Sequence, residues 1–197
     1  MLYLASESPR RRELLKKLGF PFIAETAHVT ELEQADETCS VSLLPEANSK
    51  LKAQAVSRRH PEDTVIGADT SIILDDKILG KPRDLPDARR VLTLLSGRSH
   101  EVITGVTVMR AGTRPFLHSW SDTSTVTFKK LSPEIIEEYL SKVNVLDKAG
   151  AYAIQEHGDM IISGFTGDLD NIIGLPTVSL AAFFSSSSPF FKTLFPL

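Results

Sequence analysis

Carboxylates, lysines and a cluster of arginines at the start of a helix are the chemically capable side chains in this 197-residue sequence. Ser6-Glu7-Ser8-Pro9 leads into Arg10, Arg11 and Arg12. Ser8 reads as an N-cap whose hydroxyl accepts from a free N–H of the first turn, and Pro9 falls where a missing donor costs nothing. A capping box would place Glu or Gln three residues after Ser8; the chain has Arg11. A cation at the positive end of a helix dipole costs about 0.3–1 kcal/mol. Three arginines there mark either a solvated basic turn or an anion site, most naturally for phosphate. Asp69 ends the apolar run from Thr64 to Ala68, and ligands of open α/β sheets collect beyond strand C-termini. A carboxylate there holds Mg²⁺ together with substrate phosphates, or orients a water, or merely caps a turn. Lys81 is fixed between Gly80 and Pro82, as a phosphate ligand or an exposed turn residue, and Lys52 lies beside the apolar stripe of a helix. A metal, two lysines and an arginine-rich helix start together would neutralise a triphosphate.

Composition narrows the classes. The chain is 42% hydrophobic and 24% charged, enough apolar matter for one cored domain or two small lobes. A net charge of −3 argues against a general nucleic-acid or anionic-membrane binder. The single cysteine, Cys39, has no partner for an internal disulfide, which suits a reducing compartment and a cytoplasmic protein. Neither a transmembrane span nor a secretory signal is expected. His28, His60, His100, His118 and His157 have no metal-ligand spacing. The phosphate-loop pattern fails because Pro82 follows Gly80-Lys81, and no dinucleotide fingerprint or nucleophile elbow occurs.

The elements that must position these groups follow from periodicity and caps. Strands are expected at Leu2–Ala5, Phe22–Ala24 and Thr64–Asp69, and a hairpin at Ser71–Leu74 and Lys77–Leu79. Further strands are expected over 101–109, 116–120, 124–128 and 160–162. Helices are expected over 10–18, 43–59, 84–95, 133–143 and 180–184, with Ser132-Pro133 repeating the opening cap chemistry. Glu31, Glu33, Asp36 and Glu37 form an acidic stretch after the second strand. Phe190, Phe191 and Phe195 in the tail either pack back on the body or contact a second copy in a homodimer.

Six motifs in order carry a family resemblance: Leu4-Ala-Ser-Glu-Ser-Pro-Arg-Arg11, Val65-Ile-Gly-Ala-Asp-Thr70, Gly80-Lys-Pro82, Leu95-Ser-Gly-Arg-Ser-His-Glu-Val-Ile-Thr104, Asp147-Lys-Ala-Gly-Ala-Tyr-Ala-Ile-Gln155 and Asn171-Ile-Ile-Gly-Leu-Pro176. Through about Ala182 the chain resembles the Maf family of nucleotide pyrophosphatases. The resemblance implies an elongated, two-lobed α/β fold of the Maf/ITPase type, with a central mixed sheet flanked by helices and the site in the cleft between lobes. It implies Mg²⁺- or Mn²⁺-dependent hydrolysis of a small nucleoside triphosphate to monophosphate and pyrophosphate. Arg10, Thr70 and Gln155 match the dTTP/UTP type, where they would sense the base. Asp69 would accept the proton or orient the metal-bound water, with Glu31 assisting at the metal. Ser6, Ser8, Arg11, Lys52 and Lys81 would hold phosphates. Departures are Glu156-His157 before Gly158, Asn48-Ser49 where a Leu-Ala pair is usual, and the phenylalanine-rich tail. They bear on the base-pocket rim and one helix boundary. The competing reading is a non-catalytic nucleotide-binding regulator of septum formation, for which Asp69, Lys52 and Lys81 together would be superfluous.

Overall fold

The structure is a computed structural model describing residues 1–32 and 40–186. Glu33, Asp36, Glu37 and Cys39, and the tail phenylalanines, lie outside the described residues.

Strand β1 (Leu2–Ala5) leads into helix α1 (Pro9–Lys17), and β2 (Ile23–Ala24) follows. A 3-10 turn at Val41–Leu43 opens α2 (Leu44–Arg59). Then come β3 (Thr64–Leu74), β4 (Lys77–Ile78), α3 (Leu85–Leu95), β5 (Ser99–Arg110) and β6 (Phe116–Phe128). The chain continues through α4 (Pro133–Lys142), α5 (Gly158–Ile161), β7 (Ile162–Thr166), α6 (Leu169–Ile173) and α7 (Thr177–Ser186). The strands form one mixed sheet in the order β2-β1-β3-β5-β6-β7, with β4 on β3. The pairs β2/β1 and β1/β3 are parallel, and β3/β5/β6/β7 antiparallel.

The caps read from sequence are present. The hydroxyls of Ser8 and Ser132 accept from the N–H of Arg11 and Ile135; α3 is capped in the same way, its Asp84 carboxylate accepting from the Asp87 N–H. Three expectations need correction. Asp69 does not end a strand; β3 runs unbroken to Leu74, because β5 supplies a ladder partner to every residue from Val65 to Ile73. Residues 116–128 form one strand, since pairing to β5 carries the chain through polar Ser121-Asp122. The strand expected at 160–162 is a helical turn ending at Ile161, and the strand begins only at Ile162.

The two-residue period of the strands divides the core. Leu2, Leu4, Ile66, Ala68, Val106 and Val108 pack with Leu14 and Leu15 of α1 and Leu180 and Phe184 of α7. The alternate residues Tyr3, Ala5, Val65 and Met109 pack with Ala53 and Val56 of α2 on the other face. A third cluster joins the far ends of β3, β5 and β6 to α3 and α4, through Ile72, Leu92, Val102, Phe128 and Tyr139. This alternation sets up the site. Asp69, in phase with Val65, faces α2, whereas Thr70, in phase with Ile66 and Ala68, faces α1.

Helix α2 can approach the sheet because Gly67 and Gly105 lie beneath it. A Cβ on Gly67 would meet the Ser49 carbonyl oxygen at 2.1 Å, and one on Gly105 the backbone nitrogen of Glu46 at 2.3 Å. Asn48 and Ser49 are buried in that contact, and the Ser49 and Thr107 hydroxyls are 2.7 Å apart. The polar pair therefore lies inside a continuous helix and marks no boundary.

Candidate active site

Strand β1 stops pairing with β3 at Gly67, while β3 continues beside β5, with β4 joining it only at Ile73 and Leu74. The space beyond the end of β1 is the floor of a cleft of about 660 Å³. Such a volume accommodates a drug-sized or nucleotide ligand. Its walls include every residue to which the family resemblance gives a role: Ser6, Ser8, Arg10, Arg11, Glu31, Lys52, Asp69, Thr70, Lys81 and Gln155. The crevice at a strand C-terminus is real, but the strand that ends there is β1.

The centre is a lysine between two carboxylates. Lys52 Nζ lies 2.7 Å from Asp69 Oδ1 and 2.9 Å from Glu31 Oε1. The Lys52 and Asp69 side chains are each about one-tenth exposed and that of Glu31 is half exposed, so Glu31 is the carboxylate open to solvent. Asn48, absent from the sequence-derived set, holds the group together. Its Nδ2 donates to Asp69 Oδ2 at 3.2 Å and to the Leu32 carbonyl at 3.0 Å, and its Oδ1 accepts from the Leu32 N–H at 2.7 Å. One buried amide thus clamps the backbone next to Glu31 and the carboxylate of Asp69. Only its departure from Leu-Ala distinguished this position in the sequence.

The helix start supplies the cationic wall. Ser6 Oγ accepts from the Ser8 N–H at 3.2 Å and from Arg11 NH1 at 3.4 Å. Arg11 also donates from Nε to the Gly174 carbonyl at 2.8 Å and from NH2 to Thr70 Oγ1 at 3.0 Å. Burial pulls its pKa below the ordinary value; the Asp69 and Glu31 carboxylates oppose that shift, and Arg10 adds to it. A guanidinium has five N–H donors. Three are engaged, leaving one on each terminal nitrogen. Arg10 points elsewhere, its NH1 lying 3.9 Å from Asp147 Oδ2 across the cleft. Arg12 is exposed and donates to the Glu7 carbonyl.

The opposite wall is the 147–155 segment. The Gly150 N–H donates to the carbonyls of Leu79 and Gly80 at 3.1 and 3.0 Å, docking this segment onto Gly80-Lys81-Pro82. Gly150 has φ +67°, which favours glycine, and a Cβ would lie 2.6 Å from Ile72. Lys81 and Gln155 are exposed on the rim. Two further wall residues fell inside recognised motifs without an assigned role. Buried Lys148 donates to the Asn144 carbonyl and Asp147, and pairs with Glu156 at 3.3 Å. The Tyr152 hydroxyl lies 2.7 Å from His100 Nε2 in the core, and burial pushes the His100 pKa down to about 4.

The donor set fits a hard cation. Glu31 and Asp69 both offer carboxylate oxygens to Lys52 Nζ, and oxygens of this kind suit Mg²⁺, which takes one or two carboxylates and completes its shell with phosphate oxygens and water. Among the described residues no three His, Cys, Asp or Glu side chains form a metal-holding group. Phosphate oxygens of a ligand, and water, would complete such a shell.

Mixed-sheet architecture with cations and paired carboxylates around a strand-end cleft defines a class of α/β protein fitted to polyphosphate. The comparisons narrow it: the Maf-like protein family profile matches residues 1–187, and the chain belongs to the Maf family. It is 47% identical over 174 residues to a dTTP/UTP pyrophosphatase of Akkermansia muciniphila, covering 88% of this chain and 89% of that one. A dTTP/UTP pyrophosphatase of Moorella thermoacetica is 42% identical over 183 residues, covering 91% of each chain. Among solved structures, the Staphylococcus aureus Ham1 protein superposes with a TM-score of 0.52 at 12% identity, over 95% of this chain and 99% of that chain, a likeness of fold.

Proposed function

We propose that this protein is a nucleoside triphosphate pyrophosphatase acting on dTTP and UTP, and on modified pyrimidine triphosphates, in the cytoplasm. The observation that carries this reading is the Glu31–Lys52–Asp69 cluster opposite the Arg11 helix start in one cleft. The names of the relatives described above agree with it. No helix among the described residues is long and apolar enough to cross a membrane.

In this mechanism Arg11, Lys52 and Lys81 hold the phosphates, and the hydroxyls of Ser6 and Ser8 reach the same oxygens. Mg²⁺ or Mn²⁺, held by Glu31 and Asp69, would offset charge on the phosphate oxygens. Asp69 orients a water on the α-phosphorus and takes its proton. The water oxygen bonds to that phosphorus, the α–β bridging bond breaks, and its electron pair leaves with pyrophosphate. Lys52 is placed to meet the charge developing on the phosphates. Arg10 and Gln155 line the part of the cleft left for the base. Incubation with Mg²⁺ and a panel of triphosphates tests this reading. The expected products are monophosphate and pyrophosphate, fastest from dTTP and UTP; nucleotide binding without turnover of any triphosphate would overturn it.

A further inference from the structure

Arg11 is held at both ends by one segment, directly at one end and through two hydroxyls at the other. Its Nε donates to the Gly174 carbonyl, and its NH2 to Thr70 Oγ1. Thr70 Oγ1 is 2.9 Å from Thr104 Oγ1, and Thr104 Oγ1 donates to the Asn171 carbonyl at 3.0 Å. Thr70 and Thr104 are directly opposed on β3 and β5, and Thr104 is fully buried. The direction of this chain has one solution. A guanidinium only donates and a backbone carbonyl only accepts, while each hydroxyl has one proton. Thr70 therefore accepts from Arg11 and gives its proton to Thr104, which gives its own to Asn171. Gly174, at φ +126°, packs against the same pair; a Cβ there would lie 3.4 Å from Thr70 Oγ1 and 3.6 Å from Arg11 Nε.

We infer that Thr70 and Thr104 are positioning residues for Arg11: a one-way hydroxyl relay that ends on the Asn171 carbonyl sets the guanidinium that grips phosphate. This rests on the reading of Arg11 as a phosphate ligand. The relay predicts losses that are equal for every base and that appear with pyrophosphate alone.

The test measures inorganic pyrophosphate affinity by calorimetry and KM over UTP, dTTP, CTP and GTP. Thr104→Val is expected to weaken pyrophosphate binding ~10-fold and raise every KM by a like factor, as loss of a hydrogen bond serving a charged group would. kcat should move less than ~3-fold and the ranking of bases should not change, because a phosphate grip made equally in ground and transition states reports in KM. Thr104→Ser should restore affinity to within ~2-fold, since the hydroxyl survives. In an Arg11→Lys background Thr104→Val should add less than ~2-fold, the signature of coupled residues. Should Thr104→Val fail to fold, Thr70→Val cuts the chain one link nearer Arg11 and carries the same measurement. Unchanged pyrophosphate affinity in the valine variant, or a full additional loss on top of Arg11→Lys, would overturn the relay. A changed base ranking at constant pyrophosphate affinity would overturn it and return Thr70 to base sensing. Unchanged affinity in Arg11→Lys itself would instead strike the phosphate reading of Arg11, a failure distinct from that of the relay.

Discussion

Gly67→Ala is the smallest change expected to disable the site without touching a reacting group. The new methyl would be built 2.1 Å from the Ser49 carbonyl oxygen and 2.8 Å from the Ala53 backbone nitrogen, against ordinary contacts of 3.4–4 Å. Both obstacles are backbone, so no side chain can rotate aside. Helix α2 must retreat by roughly 1 Å, and overpacking of this kind costs about 1–3 kcal/mol. For a chain of this size each 1 kcal/mol lowers Tm by about 2–4 °C. The retreat carries Lys52 and Asn48 with it, since Ser49 lies between them on α2 and both hold Asp69. A displacement near 1 Å at a catalytic constellation can cost about 100-fold in rate. The assay pairs thermal melting with pyrophosphate release under saturating UTP. Gly164→Ala in β7, where a Cβ meets nothing within 4 Å, is the control and should leave both values near wild type. A Gly67→Ala protein with wild-type Tm and turnover would refute the claim that close approach of α2 sets the site.

Lys52→Met leaves the buried Asp69 carboxylate without its cation and is expected to destabilise the fold by about 3–5 kcal/mol while abolishing turnover, read by urea unfolding and pyrophosphate release. His100 has a pKa of about 4 in the fold and an ordinary value of 6.5 when exposed, so the fold accommodates the neutral ring. Its contribution is complete above pH 6.5 and is lost as pH falls toward 4. The full swing is about 3 kcal/mol, and His100→Gln should flatten the wild-type decline in urea midpoint over that window. Pyrophosphate at about 100 times its Kd should stabilise the native state by about 2.7 kcal/mol, a rise in Tm that Arg11→Ala should remove.

Much of this architecture was legible because its signals are local. Ser8-Pro9, Asp84 and Ser132-Pro133 cap helices through their own side chains, and no distant contact is needed to see them. The full extent of β3 and β6 was not legible. Asp69 and Ser121-Asp122 look like strand ends in isolation, and only pairing to β5 carries the chain through them. Asn48 was hidden for a related reason: a polar residue on a helix has meaning only once Leu32 and Asp69 are known to face it. The candidate residues could be gathered from motifs, but the separation of Asp69 toward α2 from Thr70 toward α1 depends on strand phase. The arginine cluster also resolved only in three dimensions, with Arg11 turned inward to Gly174, Arg10 reaching toward Asp147 and Arg12 exposed.

The central claim is that Asp69 directs water to the α-phosphorus. Hydrolysis of UTP in heavy-oxygen water, followed by mass analysis of both products, tests it most directly when run beside Asp69→Asn. The account predicts the label in the monophosphate, unlabelled pyrophosphate, and a turnover reduced by about 100-fold or more in the variant, as for loss of a positioned general base. Label in the pyrophosphate, release of diphosphate and inorganic phosphate, or unchanged turnover in Asp69→Asn would contradict it.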